Sequence, residues 1–257
     1  MEYVIIAAVA FIASLLSFFS GFGLGTLLMP AFAIFFPIDI AISLTAIVHF
    51  LNNIVKFLLT GKQVNKQVFL RFGLSAIPAA FLGAFLLVYL TGIQKDIPVQ
   101  ILGLHFSIIP VNVVIGTVMI IFAWMDLNKN FKQLSFPKNK LWVGGLLSGF
   151  FGGLSGHQGA LRSAFLINFG LSKESFVATG IAIALTVDLV RMSIYTAKYT
   201  QSGITDHMSI LLVALLAAFS GAIGGRILLK KITIGFIRTI VAILLIAIGI
   251  GLITGLI

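Results

Sequence analysis

The chain has 257 residues, of which 60% are hydrophobic and only 9% are charged, and its mean hydropathy is +1.16. A soluble domain needs far more polar surface, so this composition indicates a polytopic membrane protein. The chain contains no cysteine, which excludes disulfides, thiolate metal sites and thiol nucleophiles.

The net charge of +10 comes largely from basic residues in short segments beside apolar runs. The positive-inside rule expects basic residues to cluster in the cytoplasmic loops of a protein embedded in a lipid bilayer. The basic charge therefore predicts no nucleic-acid partner.

The first apolar stretch, residues 3–36, is too long for one ordinary span and is interrupted near its middle. Its start lacks the basic segment of a cleavable signal peptide, so we expect residues 4–19 to remain as a membrane helix. The interruption is Gly21-Phe-Gly-Leu-Gly25, and an apolar segment with Pro30 follows it. This pattern predicts a hairpin or broken helix whose second arm, residues 25–36, is a half-helix.

Further apolar runs have the length of about 20 residues that a transmembrane helix needs. They are residues 41–60, 68–91, 101–125, 175–199, 207–229 and 233–255. A second broken stretch, residues 141–170, follows the third of these runs, and its interruption is Gly152-Gly-Leu-Ser-Gly-His-Gln-Gly159. We expect a second half-helix over residues 159–169.

The two interruptions occupy corresponding positions in an internal sequence repeat. Gly25 corresponds to Gly159, and the same separation pairs Thr45 with Thr179. Later in each half, Ala79-Ala-Phe-Leu-Gly-Ala84 matches Ala217-Ala-Phe-Ser-Gly-Ala222. Matched Gly/Pro-broken segments indicate a transporter's binding site. Lipid cannot satisfy irregular backbone, so the two breaks should meet inside the protein.

Three basic clusters set the expected topology. They contain Lys62, Lys66 and Arg71; Lys129, Lys132, Lys138 and Lys140; and Arg226, Lys230 and Lys231. All three clusters face the cytoplasm if each half is a re-entrant hairpin followed by three full spans. This topology places both termini outside the cytoplasm. It also inverts one half relative to the other, because each half then crosses the membrane an odd number of times.

The sequence therefore predicts an all-α, polytopic transmembrane helical bundle with two inverted repeats. The first repeat is residues 1–127, a basic cytoplasmic linker is residues 128–140, and the second repeat is residues 141–257. The two repeats form one integrated membrane domain.

A polar stripe lies on the span that follows the first break. His49, Asn52, Asn53 and Lys56 are spaced i, i+3, i+4 and i+7, which places them on one helical face, and such a face does not contact lipid. Asn52 and Asn53 are candidate substrate ligands. His49, whose ordinary pKa is about 6.5, is a candidate proton carrier, and Lys56 is a coupling or gating candidate. The alternative is a hydrogen-bonded helix seam with Lys56 extending to the cytoplasmic surface.

The corresponding span of the second half contains Asp188 and Arg191. Residues three apart on a helix can form an ion pair on one face, and pairing lowers the cost of two charges in a membrane. We expect a structural pair, with coupling or gating as the other role.

Arg162 is the strongest candidate for binding an anion. It follows Gly159 on the first turn of the second half-helix, where unpaired backbone N–H groups and the helix dipole favour an anion. Its guanidinium adds a planar fork of donors, and His157 and Gln158 add donors within the break. The alternative is that Arg162 pairs with Asp188.

The sequence predicts no metal site and no cofactor. His157 lacks the cluster of further ligands that a metal needs. Ser155 and His157 are the only adjacent pair that resembles a nucleophile and a base, and no third group orients them, so we expect the protein not to be an enzyme.

Several motifs in order resemble a known family. They are the glycine-rich break through Pro30, then Ser43-Leu-Thr45, a basic loop and Gly83-Ala84, with the same order in the second half. This arrangement, over nearly the whole chain, resembles the TauE/SafE family of sulfite exporters. The family's glycine motifs map to Gly21, Gly23, Gly25, Gly156 and Gly159. The second motif departs from the family pattern at His157-Gln158 and at Ala164, which stands where the first half has Pro30.

The resemblance implies transport of sulfite, thiosulfate, sulfoacetate or related sulfonates across a bacterial or archaeal inner membrane. The residues and the resemblance together predict a midplane anion site between the breaks, with alternating access of the two halves around it. The predicted substrate-binding residues are Arg162, Gln158, His157, Asn52, Asn53, Gly25 and Gly159.

Several alternatives stay open. Proton coupling through His49, Asp188 or His157 competes with uncoupled exit, and the oligomeric state is undetermined, with a homodimer among the options. A cation or metal-ion transporter or channel that uses the same polar stripe is the alternative function. Against it, Asp188 is the only acidic residue within the predicted spans.

Overall fold

The computed structural model describes residues 1–20, 24–93, 97–101, 104–128, 131, 136–199, 204–228 and 234–256. The start of the first break, residues 21–23, lies outside the described residues. So do Asp96 and parts of two basic clusters, which contain Lys129, Lys132, Lys230 and Lys231.

The described residues form a helical bundle with one small two-stranded sheet. In chain order the helices are α1 (Glu2–Ser20), α2 (Leu24–Ala33), α3 (Ile38–Thr60), α4 (Lys66–Gly92), α5 (Pro110–Leu127), α6 (Leu141–Ser155), α7 (Gly159–Leu166), α8 (Lys173–Tyr199), α9 (Met208–Leu228) and α10 (Ile234–Thr254). Five of them, α3, α4, α5, α8 and α9, are long and apolar enough to cross a membrane. The chain is therefore an all-α, multi-pass membrane bundle, as its composition predicts.

Both broken stretches form a helix, a break and a shorter helix. In the second, α6 ends at Ser155, and the next residue, Gly156, adopts φ +81°, a left-handed conformation that glycine accepts without steric cost. Helix α7 then begins at Gly159, and a 3₁₀ turn over Ile167–Phe169 completes the predicted arm. In the first, α2 ends at Ala33, three residues before the predicted end.

The predicted span over residues 101–125 is wrong in its first part. Residues Ile97–Ile101 (β1) and Leu104–Ile108 (β2) pair as an antiparallel hairpin, and α5 starts only at Pro110. Proline has no N–H to satisfy, so it suits the first position of a helix. High apolar content concealed the alternation of apolar and polar residues that is typical of strands.

Close helix packing joins each half to the other. On α6, a methyl group at Gly149 would lie 2.3 Å from the carbonyl oxygen of Ala76, and one at Gly153 would lie 2.1 Å from that of Ala80. Both acceptors belong to α4. Small residues let membrane helices approach until their backbones touch, so these glycines set the distance between α4 and α6.

The glycines of the repeated Gly-Ala motif allow close contact between helices in each half. A methyl group at Gly83 on α4 would lie 2.1 Å from the Phe150 carbonyl oxygen on α6, and one at Gly221 on α9 would lie 2.2 Å from the Phe11 carbonyl oxygen on α1. Each motif thus holds its helix against the first arm of the opposite half.

The remaining helix contacts also join one half to the other. Helix α3 packs on α8, its counterpart, and α5 packs on α10. Helix α4 also packs on α8, while α9 packs on α3. This pattern is what two equivalent halves require, while the inverted orientation of one half remains a prediction.

Contacts between the ends of helices and the connecting segments show which of them lie at the same end of the bundle. At one end Tyr3 Oη is 2.9 Å from Ser209 Oγ, the rings of Phe36 and His207 touch, and Gly255 approaches the hairpin so closely that a methyl group there would lie 2.2 Å from the Ser107 carbonyl oxygen. These segments are those that the charge pattern predicts to be extracytoplasmic.

A large cavity of about 800 Å³ opens at this first end. It is lined by the end of α2, the start of α3, the segment after α4, the start of α5 and the end of α10. At the opposite end, Asn168 donates to the Phe136 carbonyl oxygen, next to the described part of the basic linker.

Single-cysteine labelling tests which end faces the cytoplasm, because the chain has no native cysteine. We expect Lys62→Cys and Lys140→Cys to react with a membrane-impermeant maleimide only in inside-out vesicles, and Ile97→Cys to react only in right-side-out cells. Labelling of Lys62→Cys and Lys140→Cys from opposite sides would contradict the topology.

Candidate functional site

The two breaks meet in the interior of the bundle. A methyl group at Gly25 would lie 3.6 Å from the Gly156 carbonyl oxygen, 3.7 Å from Thr45 Cγ2 and 3.8 Å from His49 Cδ2. Gly156 in turn lies against Arg191, whose Nη1 would be 2.8 Å from a methyl group there. The irregular backbone of the second break thus lies against the start of α2 inside the bundle, where lipid does not reach it.

A buried cluster around Asp188 lies beside this meeting point. His49 Nδ1 is 2.6 Å from Asp188 Oδ2, Asn53 Nδ2 donates to the same oxygen at 3.2 Å, and Arg191 Nη2 is 2.8 Å from Oδ1. None of these four side chains is more than 5% exposed. The i, i+3 pair predicted from the sequence is therefore present, and Asp188 also joins α3 to α8.

Arg191 keeps donors that no protein group satisfies. Its Nε and Nη1 atoms are buried without a hydrogen-bond partner, whereas Nη2 lies 2.8 Å from Asp188 Oδ1. Gln158 Nε2 and His157 Nε2 are likewise buried without a partner. A buried unsatisfied polar group costs about 1–3 kcal/mol, so this region is suited to receive a ligand that supplies acceptors.

The second break is held by its own backbone and by Ser148. Gln158 N donates to the Gly156 carbonyl oxygen at 3.0 Å, and Ser148 Oγ donates to the Gln158 carbonyl oxygen at 3.2 Å. The His157 ring stacks on Phe122 with 5.6 Å between centroids. These contacts fix the positions of the side chains at 157 and 158.

Arg162 lies one helical turn beyond Gln158 and is half-buried. Its Nη1 donates to Gln158 Oε1 at 3.4 Å, and its Nε would be 3.3 Å from a methyl group at Gly180 on α8. Among the described residues Asp188 forms its ion pairs with His49 and Arg191. The alternative, in which Arg162 pairs with Asp188, is therefore not observed among the described residues.

The polar stripe of α3 divides between two neighbours. His49 and Asn53 face Asp188 on α8, whereas Asn52 accepts from Ser14 Oγ on α1 at 3.0 Å. Residues three apart differ by about 60° around a helix of 3.6 residues per turn, and this angle directs the two rows to different helices. Asn52 thus lies outside the cluster around Asp188.

Lys56 belongs to the second row and is 2% exposed. Its Nζ donates to Ser17 Oγ, and with the Asn52 amide reversed it also donates to that amide oxygen at 3.0 Å. The alternative in which Lys56 extends to the cytoplasmic surface is wrong, because hydroxyl and amide partners satisfy the ammonium inside the bundle.

Sequence patterns did not indicate two other residues at the centre. Tyr195 Oη donates to the Gly153 carbonyl oxygen at 2.6 Å, and Asp126 lines a small cavity with His157 and Thr26. Asp126 follows immediately after the predicted end of its span, so extending that span by one residue would have found it. Gly159 lines the same cavity.

No group of three or more His, Cys, Asp or Glu side chains in the described part of the chain could hold a metal ion. The buried donors without a partner belong to the guanidinium of Arg191 and the amide of Gln158, and such groups bind acceptors rather than cations.

Comparison with known families finds that a family model described as "Sulfite exporter TauE/SafE" matches residues 6–252. The match extends over nearly the whole chain and includes both breaks and both Gly-Ala motifs. Searches of curated proteins and of solved structures give no match.

Proposed function

Since the chain belongs to the TauE/SafE family, whose members are membrane transporters of sulfite and other anions, we propose that it transports a small sulfur-containing anion. Sulfite, thiosulfate, sulfoacetate and related sulfonates are the candidates. The observation that supports this most is the set of buried, unpartnered donors on Arg191 and Gln158 beside the point where the two breaks meet.

Arg191 is the principal anion-binding residue in this proposal. Its guanidinium lies against Gly156, and its Nε and Nη1 have no partner, so a planar fork of donors is left for an oxyanion that accepts at two oxygens. Asp188 holds one edge of the guanidinium at 2.8 Å, so the side chain is oriented before the substrate arrives. Gln158 supplies a further donor, Nε2, from the break, and His157 lies beside it.

Arg162 and the two glycines have supporting roles. Arg162 contacts Gln158 at 3.4 Å and adds positive charge next to the first turn of α7, where Gly159 begins the helix. Gly25 has no side chain and leaves the approach to Gly156 and Arg191 open. Asn53 acts through Asp188, and Asn52 acts through Lys56 and Ser14.

The balance of buried charge also favours an anion. Among the described residues Asp188 is the only buried acidic side chain, whereas Lys56 and Arg191 are both buried basic ones. Burying charge in a medium of low dielectric is costly unless an opposite charge compensates it. An anionic substrate reduces this cost, whereas a cation would compete with two existing partners for the single carboxylate.

Alternating access around this site accounts for transport in the proposal. The site lies between elements of both halves, so movement of one half against the other exposes it to each end in turn. The basic loops face the cytoplasm of an inner membrane in this topology. The coupling candidates are His49, Asp188, Arg191 and Lys56, because His49 and Asp188 share a short contact and both basic side chains are buried.

A thermal-stability screen of the detergent-purified protein tests the substrate class. We expect sulfite, thiosulfate or sulfoacetate to raise the melting temperature, since a ligand at one hundred times its Kd stabilises the folded state by about 2.7 kcal/mol. Taurine, sulfate and phosphate test the selectivity. Stabilisation by divalent metal ions and by none of the anions would reject the proposal in favour of a cation transporter.

A further inference from the structure

A small cavity lies beside His157, between residues of α2, α5 and α7. It is lined by Thr26, Phe122, Asp126, His157, Gly159 and Ala160, and it has room for about one water molecule. A hydroxyl, a carboxylate and an imidazole nitrogen supply the polar partners that a buried water requires. The cavity therefore connects Asp126, near the linker end of α5, to the second break.

Hydrogen bonds around His157 define which nitrogen faces an acceptor. Ser155 Oγ donates to the Phe151 carbonyl oxygen at 3.2 Å, so this hydroxyl accepts from His157 Nδ1 at 3.1 Å. In the neutral ring Nδ1 then has the hydrogen, and Nε2 has a free lone pair. Nε2 is buried without a partner, and the His157 side chain is only 2% exposed.

We propose that His157 and Asp126, bridged by a water in this cavity, form a proton-binding site that is coupled to the anion site. The proton binds at His157 Nε2, and Asp126 is a positioning residue whose carboxylate stabilises the imidazolium through the water. This inference rests on the proposed function, because the anion is the ligand to which the proton is coupled.

The coupling follows from the position of His157 between Gly156, which contacts Arg191, and Gln158. Protonation converts Nε2 from an acceptor into a donor and adds a positive charge beside the donors that receive the anion. A bound anion stabilises that charge, so each ligand raises the affinity for the other by the same factor.

The groups around His157 give the sign of the effect. From α8, the Arg191 guanidinium lies against Gly156, next to His157. From α5, the carboxylate-bearing Asp126 lines the same cavity as His157, while α2 contributes the neutral Thr26 and α6 the neutral Ser155. An anion beside Arg191 offsets the positive charge of the guanidinium, so anion binding favours the imidazolium form of His157.

Isothermal titration calorimetry in two buffers of different ionisation enthalpy measures this coupling directly. The probe is sulfoacetate, whose carboxyl and sulfonate groups are both ionised at neutral pH. We expect the wild-type protein to take up a substantial fraction of one proton per anion bound near pH 7. The His157→Gln variant should bind sulfoacetate more weakly and take up no proton, and Asp126→Asn should bind it with reduced uptake.

Two control variants separate this site from other histidines. His207→Gln, at the end of the bundle, should retain wild-type uptake. His49→Gln tests the other buried histidine: uptake that disappears in His49→Gln and persists in His157→Gln would overturn the inference. Sulfoacetate binding by the wild-type protein without proton uptake would also overturn it while leaving the proposed function intact. A wild-type protein that binds none of sulfite, thiosulfate and sulfoacetate would overturn both.

Discussion

Replacing Arg191 with glutamine is expected to abolish anion binding and to destabilise the fold. The change removes the donors that receive the anion and leaves Asp188, which is fully buried, without its arginine partner at 2.8 Å. Removing one member of a buried ion pair costs about 3–5 kcal/mol. Thermal unfolding in detergent measures the loss of stability, and the shift produced by sulfite, thiosulfate or sulfoacetate measures binding.

A double variant separates the two roles of Arg191. Asp188→Asn together with Arg191→Gln removes both charges, so most of the lost stability should return, since replacing a whole buried pair is often nearly neutral. Anion binding should stay absent. Arg71→Gln, which removes an exposed arginine of α4, should leave stability and binding unchanged. Retained anion binding in the double variant would show that Arg191 is only a structural partner.

Adding one methyl group at Gly83 or at Gly221 is expected to weaken the contact between the two halves. In Gly83→Ala the new carbon would lie 2.1 Å from the Phe150 carbonyl oxygen, and in Gly221→Ala it would lie 2.2 Å from that of Phe11. Both acceptors are backbone atoms of a helix, so relief requires the helices to separate. Overpacking of this kind costs about 1–3 kcal/mol, and we expect the two variants to lose similar amounts.

Matched controls exist on the same two helices. A methyl group added at Gly92 on α4 or at Gly224 on α9 would have no neighbouring atom within 4 Å, so alanine there should be neutral or slightly stabilising because alanine favours helix formation. Thermal unfolding monitored by size-exclusion chromatography in detergent compares all four variants. Equal stability of Gly83→Ala and Gly92→Ala would contradict the close contact between α4 and α6.

Much of the architecture could be predicted from the sequence because the bilayer imposes strong constraints. Long apolar runs indicate spans, glycine-rich breaks cannot face lipid, and the doubled Gly-Ala motif indicates two equivalent halves. The hairpin of β1 and β2 could not be recognised in the same way, since its residues are nearly as apolar as those of a span. The alternation of apolar and polar residues, together with the glycine at position 103 between the two strands, was the available indication of a hairpin.

The binding residues were harder to predict than the helices. Helical spacing places His49, Asn52, Asn53 and Lys56 on one face, but it does not say which neighbour each residue meets, and in the structure they meet two. The sequence favoured Arg162 because it begins a half-helix. The contact of Arg191 with Gly156 and its unsatisfied nitrogens depend on how α8 packs against the second break, and a single-chain pattern does not contain that information.

The hairpin and the final turn make the two halves unequal. Gly255 adopts φ +69° and lies against the Ser107 carbonyl oxygen, while the corresponding connection between α9 and α10 consists only of residues 229–233. Two identical repeats that exchange conformations would give inward- and outward-facing states of equal free energy. A hairpin that only the longer connection can form removes that degeneracy. Under alternating access, the hairpin therefore sets the resting population of the empty transporter, and shortening it would shift that population without altering any residue of the anion site.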